Sequence, residues 1–169
     1  MRRLVVVSAL SAALLSACGG GSKAAAVTDA PASLVATAER YEAEVRAEFR
    51  SATGHEAANS RELLDYIDRR VAGLAPLDET SADALVQAYG ATLGQTLIRD
   101  LGGKWVHSAS DGDGVALPNG KIAYVFSRAA RQILDRERLG FAGYYESAVS
   151  LVKGGPLPEG VVARKIPGR

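Results

Sequence analysis

The chain has 169 residues, 47% hydrophobic and 23% charged, with a formal charge of +1. That length holds one domain, and that composition is neither a disordered chain's nor a wholly membrane-embedded one's. The near-zero balance leaves no electrostatic footprint for nucleic acid, and a single cysteine, Cys18, excludes an intramolecular disulfide.

Arg2 and Arg3 open the chain, and Leu4–Leu15 follows as an apolar run with only small polar interruptions. A helix needs about 20 apolar residues to cross a bilayer, so residues 1–17 predict a secretory signal peptide and not a span. Leu15-Ser16-Ala17-Cys18 resembles the lipobox of bacterial lipoproteins. The resemblance implies cleavage between Ala17 and Cys18, a diacylglyceryl group on the Cys18 sulfur, and often an acylated new N-terminus. One acyl chain holds a protein marginally and two or more hold it stably, at roughly 0.8 kcal/mol per buried CH₂. Two other readings stand beside this one: an ordinary signal peptide cut after Ala17 that leaves a free thiol, and an uncleaved anchor. By the same resemblance, Gly19 in place of Asp points to the outer membrane, on its periplasmic face, if the source is Gram-negative. Removing residues 1–17 takes away two of the 20 basic residues and none of the 19 acids, leaving one net negative charge.

Gly19–Ala32, GGGSKAAAVTDAPA, has small residues, a proline and no periodic apolar face. Together with Cys18 it reads as a lipidated tether over 18–32, with a root-mean-square reach of about 20 Å. The expected domain covers 33–155, and a short basic tail covers 156–169.

Ser33 predicts the cap of a first helix with Leu34, Ala38, Tyr41, Val45 and Phe49 on one stripe. Whether that helix packs on the domain or extends as a stalk is left open by the pattern. Asn59 and Glu62 read as a capping box ahead of Leu63, Leu64, Ile67 and Val71, with Gly73 and Pro76 ending the helix. A third helix, from Thr80 or Ser81, carries Leu85, Tyr89, Leu93, Leu97 and Leu101 and stops at Gly102-Gly103. Gly90 and Gly94 within it predict the close approach of another backbone. Its Gln87, Gln95, Arg99 and Asp100 argue against a membrane dimerisation face.

KWVHSA, GVALP and KIAYVF are short, β-branched or aromatic, and separated by Asp111-Gly112 and Asn119-Gly120. They predict a three-stranded antiparallel meander. Ser127 then opens a fourth helix with Ala130, Ile133 and Leu134, and a fifth follows with Phe141, Tyr145, Ala148 and Val152. Three strands alone are marginal, so the helices must bury their stripes on one face of the sheet. The expected fold class is α+β, a two-layer arrangement of several helices on that meander.

The candidate chemistry is thin. His107 with Asp111 or Asp113 is the residue set from which an acid–base pair is built. The bland reading is a partly exposed strand histidine beside a polar turn. SDGDG lacks the further ligands and the closing glutamate of a calcium loop and reads as a hairpin turn. No nucleophile elbow, phosphate loop, dinucleotide fingerprint or metal spacing is present, so no cofactor and no metal are expected. Arg128, Arg131, Arg136 and Arg138 give the fourth helix a basic side, either a solvated face or an interaction surface.

Tyr89–Trp105 (YGATLGQTLIRDLGGKW), then the meander, then YVFSRAARQI and FAGYY resemble a bacterial domain family of unknown function. Those proteins lead a two-glycine helix through an L-G-G-x-W turn into a small sheet and a basic helix. The resemblance covers about residues 85–145. Val125-Phe126 departs from the proline-aromatic pair of many relatives. It implies the α+β fold and a structural role for the Gly/Trp set, and it transfers no active site.

The whole reading is a lipid-anchored envelope protein with a non-enzymatic binding domain and an unidentified protein or envelope partner. The alternatives are an immunity or inhibitor lipoprotein that neutralises a toxic enzyme, and a small envelope hydrolase using His107.

Overall fold

The computed structural model describes residues 26–155. The segments expected to be a signal peptide (1–17) and a basic tail (156–169), Cys18, and most of the expected tether lie outside the described residues. In chain order the elements are β1 (Val27–Asp29), α1 (Ala32–Thr53), α2 (Ser60–Ala72), α3 (Glu79–Leu101), β2 (Lys104–Ser108), β3 (Gly112–Ala116), β4 (Ile122–Ala123), α4 (Val125–Leu134) and α5 (Gly140–Lys153).

The helix boundaries follow from capping. Pro31, with φ −62° and ψ 146°, precedes α1, and its carbonyl accepts the Leu34 and Val35 N–H groups. A proline just before a helix sacrifices no helical hydrogen bond, so α1 starts at Ala32 and Ser33 is not its cap. The box expected at α2 is present: Asn59 Oδ1 accepts the Glu62 N–H at 2.9 Å, and Glu62 Oε2 accepts the Ala58 N–H at 2.7 Å. Asp78 takes the Ser81 N–H at 2.8 Å and moves the start of α3 forward to Glu79. Gly102, at φ 78°, ends α3 in the left-handed conformation that glycine adopts without steric cost.

The sheet corrects the expected strand count. It has four antiparallel strands in the order β1-β2-β3-β4, because the tether's Val27–Asp29 pairs with β2 as Val27↔Ser108, Thr28↔His107 and Asp29↔Val106. The Lys104 ammonium meets the Asp29 carboxylate at 2.6 Å beside this ladder. Three exposed residues with no apolar alternation carry no strand signal of their own; the edge of β2 supplies it. At the other edge β4 is shorter than predicted. Tyr124 leaves the strand, and Val125 and Phe126 enter the first turn of α4, before Ser127.

Helices α3 and α4 lie on the sheet, and α1, α2 and α5 close around them. Gly90 and Gly94 make the seam. A Cβ at Gly94 would stand inside the Trp105 ring, and one at Gly90 would come 2.7 Å from Phe126 Cδ1. Trp105 and Phe126 stack with centroids 5.7 Å apart and planes 22° apart, sealing α3 to β2 and α4. The first helix is not a stalk: Ala38, Val45 and Phe49 are buried, and the Phe49 ring meets Tyr66 edge-on at 5.2 Å. Among the described residues no helix is long and apolar enough to cross a membrane.

Candidate functional site

Of the two carboxylates expected beside His107, the fold brings only Asp113. His107 and Asp113 are direct cross-strand partners on β2 and β3, and His107 Nδ1 lies 2.8 Å from Asp113 Oδ1. Thr28 stands opposite His107 on the other side, in β1, so Thr28, His107 and Asp113 form one row across three strands. Half of the His107 side chain is open to solvent. Asp111 belongs to a different cluster. Its carboxylate accepts hydrogen bonds from Ser110, Ser108 and Tyr124, and the Ser110 bond first among them holds its pKa below the usual carboxylate range. Among the described residues no three His, Cys, Asp or Glu side chains converge as a metal site.

The basic side expected on the fourth helix comes apart. Arg128 is buried, its side chain 3% exposed. It donates to Glu137, to Gln132 Oε1 at 3.0 Å and to the Gly140 carbonyl at 3.2 Å, and lies over the Tyr144 ring. Burial pushes its pKa down, against the pull of Glu137. Arg136 donates to the Val71 and Leu74 carbonyls and so finishes the C-terminal end of α2. Arg131 is exposed and its Nε lies 3.5 Å from Glu137 Oε1, the carboxylate that also holds Arg128, and Arg138 is exposed. The periodicity placed all four on one helix, but α4 ends at Leu134, and the turn that follows redirects Arg136 and Arg138.

Asp68 was not legible as a special residue. From α2 its two oxygens accept the Phe141 and Ala142 N–H groups at 2.7 and 3.0 Å, capping α5 from a distance. Burial raises its pKa, and those two N–H groups oppose the rise.

A separate opening lies where α1, the start of α2, the end of α3 and α5 meet. It is a groove of about 640 Å³ lined by Arg46, Ser60, Arg61, Arg99, Asp100 and Tyr145, among others. The Glu42 carboxylate, 13% exposed, is bracketed by Arg46 Nε at 2.8 Å and Arg99 Nη1 at 2.5 Å. Arg99 continues to Ser60 Oγ and Thr96 Oγ1, both at 3.4 Å, and faces Asp100 at 3.4 Å. Asp100 accepts the Tyr145 hydroxyl at 3.0 Å. Burial first, and this bond second, push the tyrosine up to about 12. On the rim Arg61 pairs with Asp65 and Glu146.

Every guanidinium of the groove meets a carboxylate: the lining itself holds three arginines and Asp100, and Glu42, Asp65 and Glu146 beside it supply the balancing charges. Such a surface suits a partner presenting both signs, as a polypeptide does, better than a simple anion. His107, Asp111 and Asp113 lie outside it. No family model, curated protein or solved structure matches the chain.

Proposed function

We propose that the protein is an exported lipoprotein, held to the bacterial envelope through Cys18, whose α+β domain is a non-enzymatic binding module. Leu15-Ser16-Ala17-Cys18 supports the anchor. The observation that carries the binding reading is the chain Arg46–Glu42–Arg99–Asp100–Tyr145 along an open groove. These side chains are held in place by one another, so an incoming partner meets a pre-ordered polar surface and loses little side-chain entropy in docking. The partner is a protein or an envelope component in contact with the groove.

Two measurements on one set of strains test this. Fatty-acid labelling of the wild-type chain should give a labelled, processed protein, and Cys18→Ala should give unlabelled precursor; a labelled Cys18→Ala variant contradicts the anchor. Crosslinking in intact envelopes should give a discrete adduct that Arg99→Ala loses, and an adduct unchanged in Arg99→Ala contradicts the groove.

The His107–Asp113 hydrogen bond favours one second reading, a small envelope hydrolase in which Asp113 orients the imidazole as a general base. A His107→Ala chain that fully complements a deletion strain removes it.

A further inference from the structure

The register of β1 fixes where the chain arrives from the membrane. Val27 lies opposite Ser108, at the end of β2 that turns into β3 through residues 109–111. Counting back, Cys18 is about nine residues from Val27, so the leash spans at most about 30 Å whatever its conformation. The strand itself is fastened to the sheet by its ladder, which the Ala30 N–H continues onto the Trp105 carbonyl. The leash therefore ends at the sheet and not, as the sequence suggested, at the first helix.

The groove occupies the other end. Lys104 begins β2, about 13 Å along the strand from Ser108, and Leu101, Gly102 and Gly103 join it directly to Arg99 and Asp100 of the groove. From there α3 runs back over the sheet, with Gly94 against Trp105 and Gly90 against Phe126. Charge does not set this polarity: Asp111 and Asp113 stand at the leash end and repel anionic headgroups, so the orientation follows from the attachment of the leash at β1 and not from adsorption of that end.

We infer that the β2–β3 turn is the membrane-proximal end of the domain and that the Arg99 groove is presented away from the bilayer. This rests on the anchoring reading. The kind of partner it selects is one approaching from the aqueous side, not a lipid.

The test uses the full lipidated chain in vesicles of phosphatidylethanolamine and phosphatidylglycerol. Cys18 is acylated, so a cysteine introduced as Ala109→Cys or Ala58→Cys is the sole free thiol; both alanines are exposed, one in the turn and one in the groove. Energy transfer from a thiol-linked donor to a headgroup-linked acceptor should be more efficient from position 109 than from position 58. Equal or reversed efficiencies overturn the orientation. Inserting a Gly/Ser segment between Cys18 and Val27 should narrow the difference, and an unchanged difference also overturns it. The lipid adduct is read separately by mass on the same samples. A chain without it overturns the anchoring reading, and the orientation with it, whereas an orientation that fails on a lipidated chain leaves the anchor standing.

Discussion

A single helix, α3, serves two regions of opposite character. Along its middle, Gly90 and Gly94 remove side chains so that Phe126 and Trp105 can lie against the backbone. At its end, Arg99 and Asp100 reach into an open groove and are held by other charges. The seam is buried and shape-determined, and its energy comes from area and close packing. The groove is open to solvent, and its ion pairs contribute little to stability while fixing side-chain positions. Damage to the seam should therefore unfold the protein, and damage to the groove should leave it folded while removing the binding proposed for it.

The largest expected effect is at the seam. Trp105→Ala removes both the stacking on Phe126 and the wall over Gly94, and should cost about 3–5 kcal/mol in chemical denaturation. Gly94→Ala is the sharper test, because alanine is the better helix former by about 1 kcal/mol. Here it must displace the Trp105 ring, so a net loss of about 1–3 kcal/mol is expected, and a stabilised variant would show that the seam is loose. Asp68→Ala, which frees two N–H groups at the start of α5, should cost about 1–2 kcal/mol. On the groove side, Arg99→Ala should change stability by less than about 1 kcal/mol while abolishing the envelope adduct. That dissociation of folding from binding is what separates the two regions.

The smallest effect is alkaline. Tyr66 and Tyr145 are both raised from 10.0 to about 12, in each case by burial first, and then by hydrogen bonds to Glu48 and Asp100 respectively. The folded state holds these protons more tightly than the unfolded chain does. Their contribution is therefore complete below about pH 10 and is lost as the pH rises toward 12. Denaturation midpoints followed from pH 9 to 11 should fall, and the fall should be shallower in Tyr145→Phe.

The seam was legible in part, because the G-x-x-x-G signal is local and marks a close approach. The expected neighbour was another backbone; at Gly94 it is instead the Trp105 ring, and at Gly90 the Phe126 ring comes nearer than the Phe126 backbone. The α+β class and the five helices followed from periodicity and capping for the same reason. What escaped depended on distant partners. Val27–Asp29 is a strand only because β2 presents an unpaired edge to it, and Phe126 is helical because its ring is needed against Gly90 and Trp105. Arg128 looked like surface until Glu137, Gln132 and the Gly140 carbonyl surrounded it. The groove was invisible as a unit. Its side chains come from residues 42, 46, 60, 61, 99, 100 and 145, and no spacing in the sequence joins them. His107 was singled out correctly as a residue with a carboxylate partner, but Asp111 was claimed by its own serines and Tyr124.

Site-specific photocrosslinking in living cells tests the binding claim most directly. A photoreactive residue at Ala58 lies in the groove, and one at Arg138 lies on an exposed part of the surface outside it. A discrete adduct from position 58, absent from position 138 and lost when Arg99→Ala is added, is the predicted result. The same adducts from both positions, or an adduct at 58 that survives Arg99→Ala, would contradict the groove as the site where this protein meets its partner.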